Sequence, residues 1–239
     1  MIFRKIKSIL QEFRNHNATL VRHTKELEWA HIYHDSIRGN EALDKLSLKV
    51  GRWAGNYSFF YLVHRILKDF KPKKVVEFGL GESTKFISTY NKSIGDFHEH
   101  FVVEHDENWM KVFNASFNLD NFSININPII SRQKDGNSYN SYSNLKDIPS
   151  DADFYIVDGP FGSKRFSRYD IVEIVKNFKP DHEFIILMDD ANRPGELETG
   201  KEIMQSLHAK GIKYSSMEFE GVKTQLVIVS ESYKYVLTV

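Results

Sequence analysis

The sequence has no cysteine and no net charge, with 32 Lys and Arg balancing 32 Asp and Glu across 239 residues. Without cysteine there is no disulfide framework, thiolate zinc site, iron–sulfur cluster or cysteine nucleophile, so any metal falls to carboxylates, histidines or carbonyls. Without a basic excess, a nucleic-acid substrate gripped through a global positive field is disfavoured. No apolar run approaches the roughly 18 residues needed to span a bilayer. The opening MIFRKIKSIL carries Arg4, Lys5 and Lys7 among its apolar residues and does not read as a secretory signal. These absences predict a cytoplasmic protein without a transmembrane segment. Gly 13 and Pro 6 are too few for a low-complexity chain, whereas 18 Phe and 11 Tyr within 41% hydrophobic residues supply a core.

Residues 1–50 read as an N-terminal helical extension, and residues 51–239 as the main domain. Ile2, Phe3, Ile6, Ile9, Leu10 and Phe13 recur at helical spacing between Arg4, Lys5, Lys7 and Arg14. That pattern fits a helix docked on its own domain or on a second subunit in a homo-oligomer, as ordinary surface helices are. It also fits peripheral contact of residues 2–14 with an anionic membrane. Helical patterning continues through Tyr57–Phe70. From Lys74 the texture changes to short β-branched runs alternating with helices: VVEFG, helix from Ser83; HFVVEH, helix from Glu107; INPII; DFYIVDG, helix from about Lys164; EFIILMDD, helix from about Leu197. Such alternation predicts a doubly wound, mostly parallel α/β sheet with helices on both faces. Lys213–Phe219 and Thr224–Ser230, joined by a short turn with Gly221, must be antiparallel. The polar stretch 131–150 reads as a long active-site loop.

In a doubly wound sheet the ligand crevice lies at the carboxyl ends of the parallel strands. The first strand ends in Glu77-Phe78-Gly79-Leu80-Gly81-Glu82-Ser83-Thr84. Gly79 and Gly81 let backbone approach a ligand, and Ser83 is a candidate helix cap. Thr84 replaces the small third residue of a dinucleotide fingerprint, and Glu77, expected to face the ligand, repels a pyrophosphate but suits an ammonium or sulfonium. A nicotinamide cofactor is thereby disfavoured. The second strand ends in Glu104-His105-Asp106, where an acid suits a ribose diol; His105 flanks an adenine or faces solvent. Asp158 and the pair Asp189-Asp190 follow adjacent strands. Three converging carboxylates call for a divalent cation, a proton, or pairing with Arg165, Arg168 or Arg193.

VVEFGLGEST, the acid after the second strand, IVDGP and the closing antiparallel pair resemble the class I S-adenosylmethionine-dependent methyltransferases, over roughly residues 50–230. The resemblance implies a seven-stranded Rossmann-like sheet and S-adenosylmethionine held by Glu77, Gly79, Gly81, Ser83, Thr84, Glu104 and His105, with Asp135 or Gly136 near the adenine. Asp158 with Asp189 and Asp190 is similar to the metal site of catechol-type O-methyltransferases, implying Mg²⁺, Mn²⁺ or Co²⁺. It departs from them in Asp190, where asparagine is usual, and in Lys164, too far from Asp158 to stand for their lysine. EFGLGEST, DGPFGSKRFSRYDIV and MDDANRPGE resemble glucuronoxylan-type polysaccharide methyltransferases.

The expected function is therefore O-methylation of a saccharide or other small-molecule hydroxyl, metal-assisted or with Asp158 as base. Arg165, Arg168 and Arg193 suit an anionic acceptor or surface salt bridges. Tyr139, Tyr142, Phe161, Phe166 and Tyr169 suit ring stacking or the core. Asp158-Gly159-Pro160-Phe161 is partly similar to the D-P-P-Y motif of nucleic-acid amino-methyltransferases, but Gly159 breaks it. A non-catalytic protein of the same fold, binding a nucleoside ligand or a partner, is the alternative.

Overall fold

The computed structural model describes residues 2–95, 99–117 and 123–238, with side chains from residue 4 onward. Ile2 and Phe3 of the amphipathic pattern thus fall outside the described side chains. Helix α1 (Ile2–Ile37) is followed by the short α2 (Glu41–Asp44) and by α3 (Tyr57–Arg65), which runs into a π-helical turn at Ile66–Phe70. That turn ends where Lys71 adopts a left-handed φ of 48° before Pro72. Strands β1 (Lys74–Phe78) and β2 (Glu99–Glu104) alternate with α4 (Glu82–Ile94) and α5 (Glu107–Ser116). Then come β3 (Ser123–Ile126), β4 (Ile129–Lys134), β5 (Asn137–Tyr142), β6 (Phe154–Val157), α6 (Asp170–Val175), β7 (Ile185–Met188), α7 (Pro194–Ala209), β8 (Tyr214–Glu220) and β9 (Thr224–Ser230).

Seven strands form one sheet in the order β3-β2-β1-β6-β7-β9-β8. The first five are parallel, and β9 runs antiparallel to β7 and β8. The doubly wound prediction is met. Alternate residues of each central strand feed two separate cores, as the period of two requires. Val76, Phe78, Tyr155, Val157, Ile186 and Met188 pack toward α6 and α7. Val75, Phe154, Ile156, Ile185 and Leu187 pack toward α3, α4 and the C-terminal part of α1.

Three expectations are corrected. The segment 131–150 is largely a β4–β5 hairpin, with a turn at Asp135 (φ 49°) and Gly136 (φ 73°). An Asp-Gly pair suits the left-handed geometry of a two-residue hairpin turn, and the polar composition around it hides the strands. The helix expected from Lys164 begins only at Asp170, because Phe166 and Arg168 take left-handed φ values of 51° and 57°. The helix after β7 starts at Pro194, three residues before the expected Leu197. The last pair of strands lies where the sequence put it.

Candidate active site at the strand ends

Register brings the sequence-predicted acids to one level. Phe78 pairs with Val103 and Val157, and Val157 with Met188. Gly79, Glu104, Asp158 and Asp189, the next residue of each strand, therefore stand side by side along the carboxyl rim. The ladder continues one step further through Gly79 N–H to Val103 O (2.9 Å), Asp158 N–H to Phe78 O (3.2 Å) and Asp189 N–H to Val157 O (3.1 Å).

The glycine turn is braced from below. Glu77 shares the face of Val75, so its carboxylate lies beneath the first turn of α4 and is fully buried. It accepts hydrogen bonds from Ser83 Oγ and, at 2.9 Å, Thr84 Oγ1, and lies 2.8 Å from His100 Nε2. The ligand-facing Glu77 of the sequence reading is thus corrected: alternation turns it into the protein, where it anchors the helix. Ser83 likewise does not cap α4. Gly81 is the N-cap residue, and its N–H donates to Thr84 Oγ1 at 3.0 Å.

Gly79 has φ 102°, a conformation that disfavours any side chain. A Cβ there would also meet Asp158 C at 3.7 Å, so the turn and the β6 end are in contact. A Cβ on Gly81 would meet nothing within 4 Å; the space above it is open. Glu104 closes the other side: Oε2 accepts from Leu80 N–H (2.9 Å), and Oε1 from His105 N–H (2.7 Å) and Asp106 N–H (2.8 Å). A carboxylate offers about four lone-pair positions, so Oε2 retains capacity for one further donor. Asp106 caps α5 through Asn108 and Trp109 N–H. The His105 ring lies 5.1 Å from that of Phe161, which is 59% exposed and follows β6.

Asp158, Asp189 and Asp190 do converge, each offering an oxygen within 4.8 Å of the others. The protein already compensates them. Arg168 Nη2 lies 2.9 Å from Asp158 Oδ1 and 2.9 Å from Asp190 Oδ2, while its Nη1 donates to Asp189 O at 2.7 Å. Lys223 Nζ lies 2.8 Å from Asp189 Oδ2 and 3.5 Å from Asp190 Oδ1. Arg193 adds a third cation at 3.1 Å from Asp190 Oδ2, and Gln225 Nε2 donates to Asp189 Oδ1 at 2.8 Å. Glu196, 3.9 Å from Arg168 Nε, is a fourth buried acid. Four carboxylates against three cations leave one negative charge in excess. Burial pushes Asp158 up to about 7; Arg168 opposes this and Asp189 adds to it.

This donor set does not fit a divalent cation. Both oxygens of Asp189 and Oδ2 of Asp190 are engaged, and a dication would face three protein cations at short range. Each pair of unit charges repels by about 4 kcal/mol at 4 Å and an effective dielectric of 20. Only Asp158 keeps appreciable exposure, 21% of its side chain.

Several predicted residues are not brought here. Asp135 and Gly136 sit at the hairpin tip, where Asp135 lies 3.7 Å from Lys134. Arg165 pairs with Glu198 at 2.8 Å. Arg168 is 4% exposed and compensates the acids, so an external acceptor anion cannot reach it. Tyr139, Tyr142, Phe166 and Tyr169 are core, leaving Phe161 as the available ring among the five. Sequence reading missed Lys223 and Gln225. Their signal is topological: Met188 pairs with Leu226, which sets Gln225 beside Asp189.

No protein-family model matches this sequence, and no curated protein matches it. Solved structures do. The O-methyltransferase TomG from Streptomyces achromogenes, involved in tomaymycin synthesis and crystallised with S-adenosylmethionine, aligns with a TM-score of 0.52 at 12% identity, over 89% of this chain and 98% of its own. The chain has the class I methyltransferase fold. An O-methyltransferase from Bacillus cereus in complex with S-adenosylhomocysteine aligns with a TM-score of 0.46 at 11% identity, over 84% of this chain and 91% of its own. Within the methyltransferase fold, the Gly79–Gly81 turn and Glu104 occupy the carboxyl ends of the first two strands.

Proposed function

We propose that the protein is an S-adenosylmethionine-dependent O-methyltransferase acting on a hydroxyl of a saccharide or other small molecule, with Asp158 as general base and no divalent cation. The observation that carries this reading is the position of Asp158: it lies against the glycine turn, keeps 21% of its side chain exposed, and has a pKa pushed up to about 7. A general base works best when its pKa lies near the operating pH. When bound, S-adenosylmethionine supplies an electrophilic methyl carbon on a sulfonium.

The chain's own residues supply the rest. Gly81 leaves room for a donor to approach the backbone closely, Glu104 Oε2 would accept from a ribose hydroxyl, and His105 and Phe161 would offer ring faces to the adenine. Glu77, Ser83 and Thr84 hold the turn in place without touching the donor. Asp158 would take the proton of the acceptor hydroxyl, whose oxygen would bond to the donor's methyl carbon as the carbon–sulfur bond breaks. Arg168 fixes one oxygen of Asp158 at 2.9 Å and so restricts the orientation of the carboxylate. Neither Asp135 nor Gly136 enters this site. The saccharide class rests on the likeness of DGPFGSKRFSRYDIV and MDDANRPGE to polysaccharide methyltransferases.

The test is calorimetric titration with S-adenosylhomocysteine, then transfer of a labelled methyl group to neutral and uronate-containing oligosaccharides with and without chelator. Tighter binding of NAD than of S-adenosylhomocysteine overturns the reading. Donor binding without transfer to any hydroxyl moves it to a non-catalytic nucleoside-binding protein.

A further inference from the structure

Helix α1 runs from Ile2 to Ile37, about 54 Å at 1.5 Å per residue. Only its C-terminal part is docked. Lys25 pairs with Glu220, Glu26 accepts from Asn56, Tyr57 and Val222, Trp29 donates to Glu220 O, and Tyr33 and Ile37 enter the core. Residues 4–24 are exposed throughout. They nevertheless carry large apolar side chains: Ile6, Ile9, Leu10, Phe13, Leu20 and Val21 are each about half exposed or more, as is Leu27 further along.

At 100° per residue these seven fall within an arc of about 120°. Glu26, Trp29, Tyr33 and Ile37 mark the docking face, and it lies roughly opposite. The protein's own domain therefore cannot cover the stripe, and the expectation that this part of the helix docks on it is corrected. Something outside the domain must cover it, on the side facing away from the domain.

Charge selects the occupant. Between residues 2 and 24 stand Arg4, Lys5, Lys7, Arg14 and Arg22 against Glu12 alone, a net charge of +4 in a chain of net charge zero. Lys7 and Arg14 flank the stripe on one side and Lys5 on the other, where long side chains reach outward from an apolar bed. A second copy of the helix would bring +4 against +4. It would also set His16 and His23 on the seam line that Ile9 begins, seven and fourteen residues on. An anionic lipid surface accepts both features, because the stripe enters the interface while the flanking Lys5, Lys7 and Arg14 meet phosphate and carboxylate head groups.

We propose that α1 is a peripheral membrane anchor that lies on anionic phospholipid through Ile6, Ile9, Leu10, Phe13, Leu20 and Val21. Because the docking face is opposite, the domain then sits on the aqueous side of the helix. No helix among the described residues is long and apolar enough to cross a membrane, so the contact is in the plane of the surface.

The test is flotation of the full chain with phosphatidylcholine vesicles made with and without phosphatidylserine. Binding is expected to the anionic vesicles only, and to weaken as salt is raised. Lys5→Gln with Lys7→Gln is expected to lower the partition on the order of tenfold. Phe13→Glu is expected to abolish it while circular dichroism and the melting curve of the domain stay unchanged, since Phe13 is 62% exposed. Equal binding to neutral vesicles, or no binding to anionic ones, overturns the proposal. So does a dimer in sedimentation equilibrium that Phe13→Glu dissociates, which assigns the stripe to a second copy. None of these outcomes depends on methyl transfer.

Discussion

One guanidinium nitrogen of Arg168 stands 2.9 Å from a carboxylate oxygen of Asp158 and 2.9 Å from one of Asp190. The same side chain donates to the last carbonyl of β6, Val157 O, and to the main chain just beyond β7, at Asp189 O. Arg168 is thus a clamp between two strand ends as well as a counter-charge. Arg168→Gln should leave buried acids unpaired and lower unfolding stability by about 3–5 kcal/mol. Urea denaturation measures it. A loss under 1 kcal/mol would show the acids to be protonated and the ion pairs idle.

Asp158→Asn should abolish transfer and leave S-adenosylhomocysteine affinity within about threefold, because the proposed donor contacts lie mainly after β1 and β2. For the wild type, the base must be deprotonated. The rate at saturating donor should therefore rise with pH through about 7 and level off above it, in line with the raised value for Asp158. Lys223 pulls that value down. Lys223→Met should move the rising limb to higher pH, an effect that loss of folding alone does not produce.

Chelator should leave transfer unchanged, and added Mg²⁺ or Mn²⁺ should not stimulate it. A metal-dependent rate restored by titration would overturn the assignment of Arg168 and Lys223 as the compensating charges.

Gly81→Ser tests the donor site without disturbing the fold. The backbone at Gly81 is extended (φ −169°), its Cβ position is open, and serine is a good N-cap residue. Stability should change by less than about 0.5 kcal/mol, whereas donor affinity should fall at least on the order of tenfold, the cost of displacing a ligand from close backbone contact. Gly159→Ala is the opposite case. Its Cβ would stand 2.9 Å from Tyr142 Oη and 3.0 Å from Phe78 O, so it should cost about 1–3 kcal/mol of stability.

His64, buried in α3 with Nδ1 3.0 Å from Ser36 Oγ, is held neutral by desolvation, its pKa lowered to about 4. A depressed base favours the fold above its unfolded pKa, near 6.5, and this stability is lost as pH falls toward 4. The loss amounts to about 3 kcal/mol. Asp170 acts in the reverse sense, since burial raises it to about 6 and acid favours its neutral form. Unfolding free energies measured from pH 7 to 4 should therefore fall less steeply in His64→Gln and more steeply in Asp170→Asn.

The sheet was legible because its central strands are short apolar runs between helices, each ending in Gly, Glu or Asp. The acid cluster followed from strand order alone. Its partners did not. Lys223 and Gln225 meet Asp189 because β9 inserts beside β7, a pairing between residues 34 and 36 positions apart that local pattern does not carry. Glu77 was misread although alternation with Val75 already turned it inward. The hairpin was hidden by its serines and asparagines, in spite of the Asp135-Gly136 turn.

Glu26 accepts from the side chain of Asn56, from the first N–H of α3 and from Val222 N–H. It reaches all three because Gly221 has no side chain: a Cβ there would stand 2.3 Å from Glu26 Oε2. Val222 is the residue before Lys223, whose ammonium balances Asp189 and Asp190. The long helix and the acid cluster are therefore geared together through one carboxylate. A tilt of the helix has to be absorbed at the β8–β9 turn, next to the cation that tunes the proposed base.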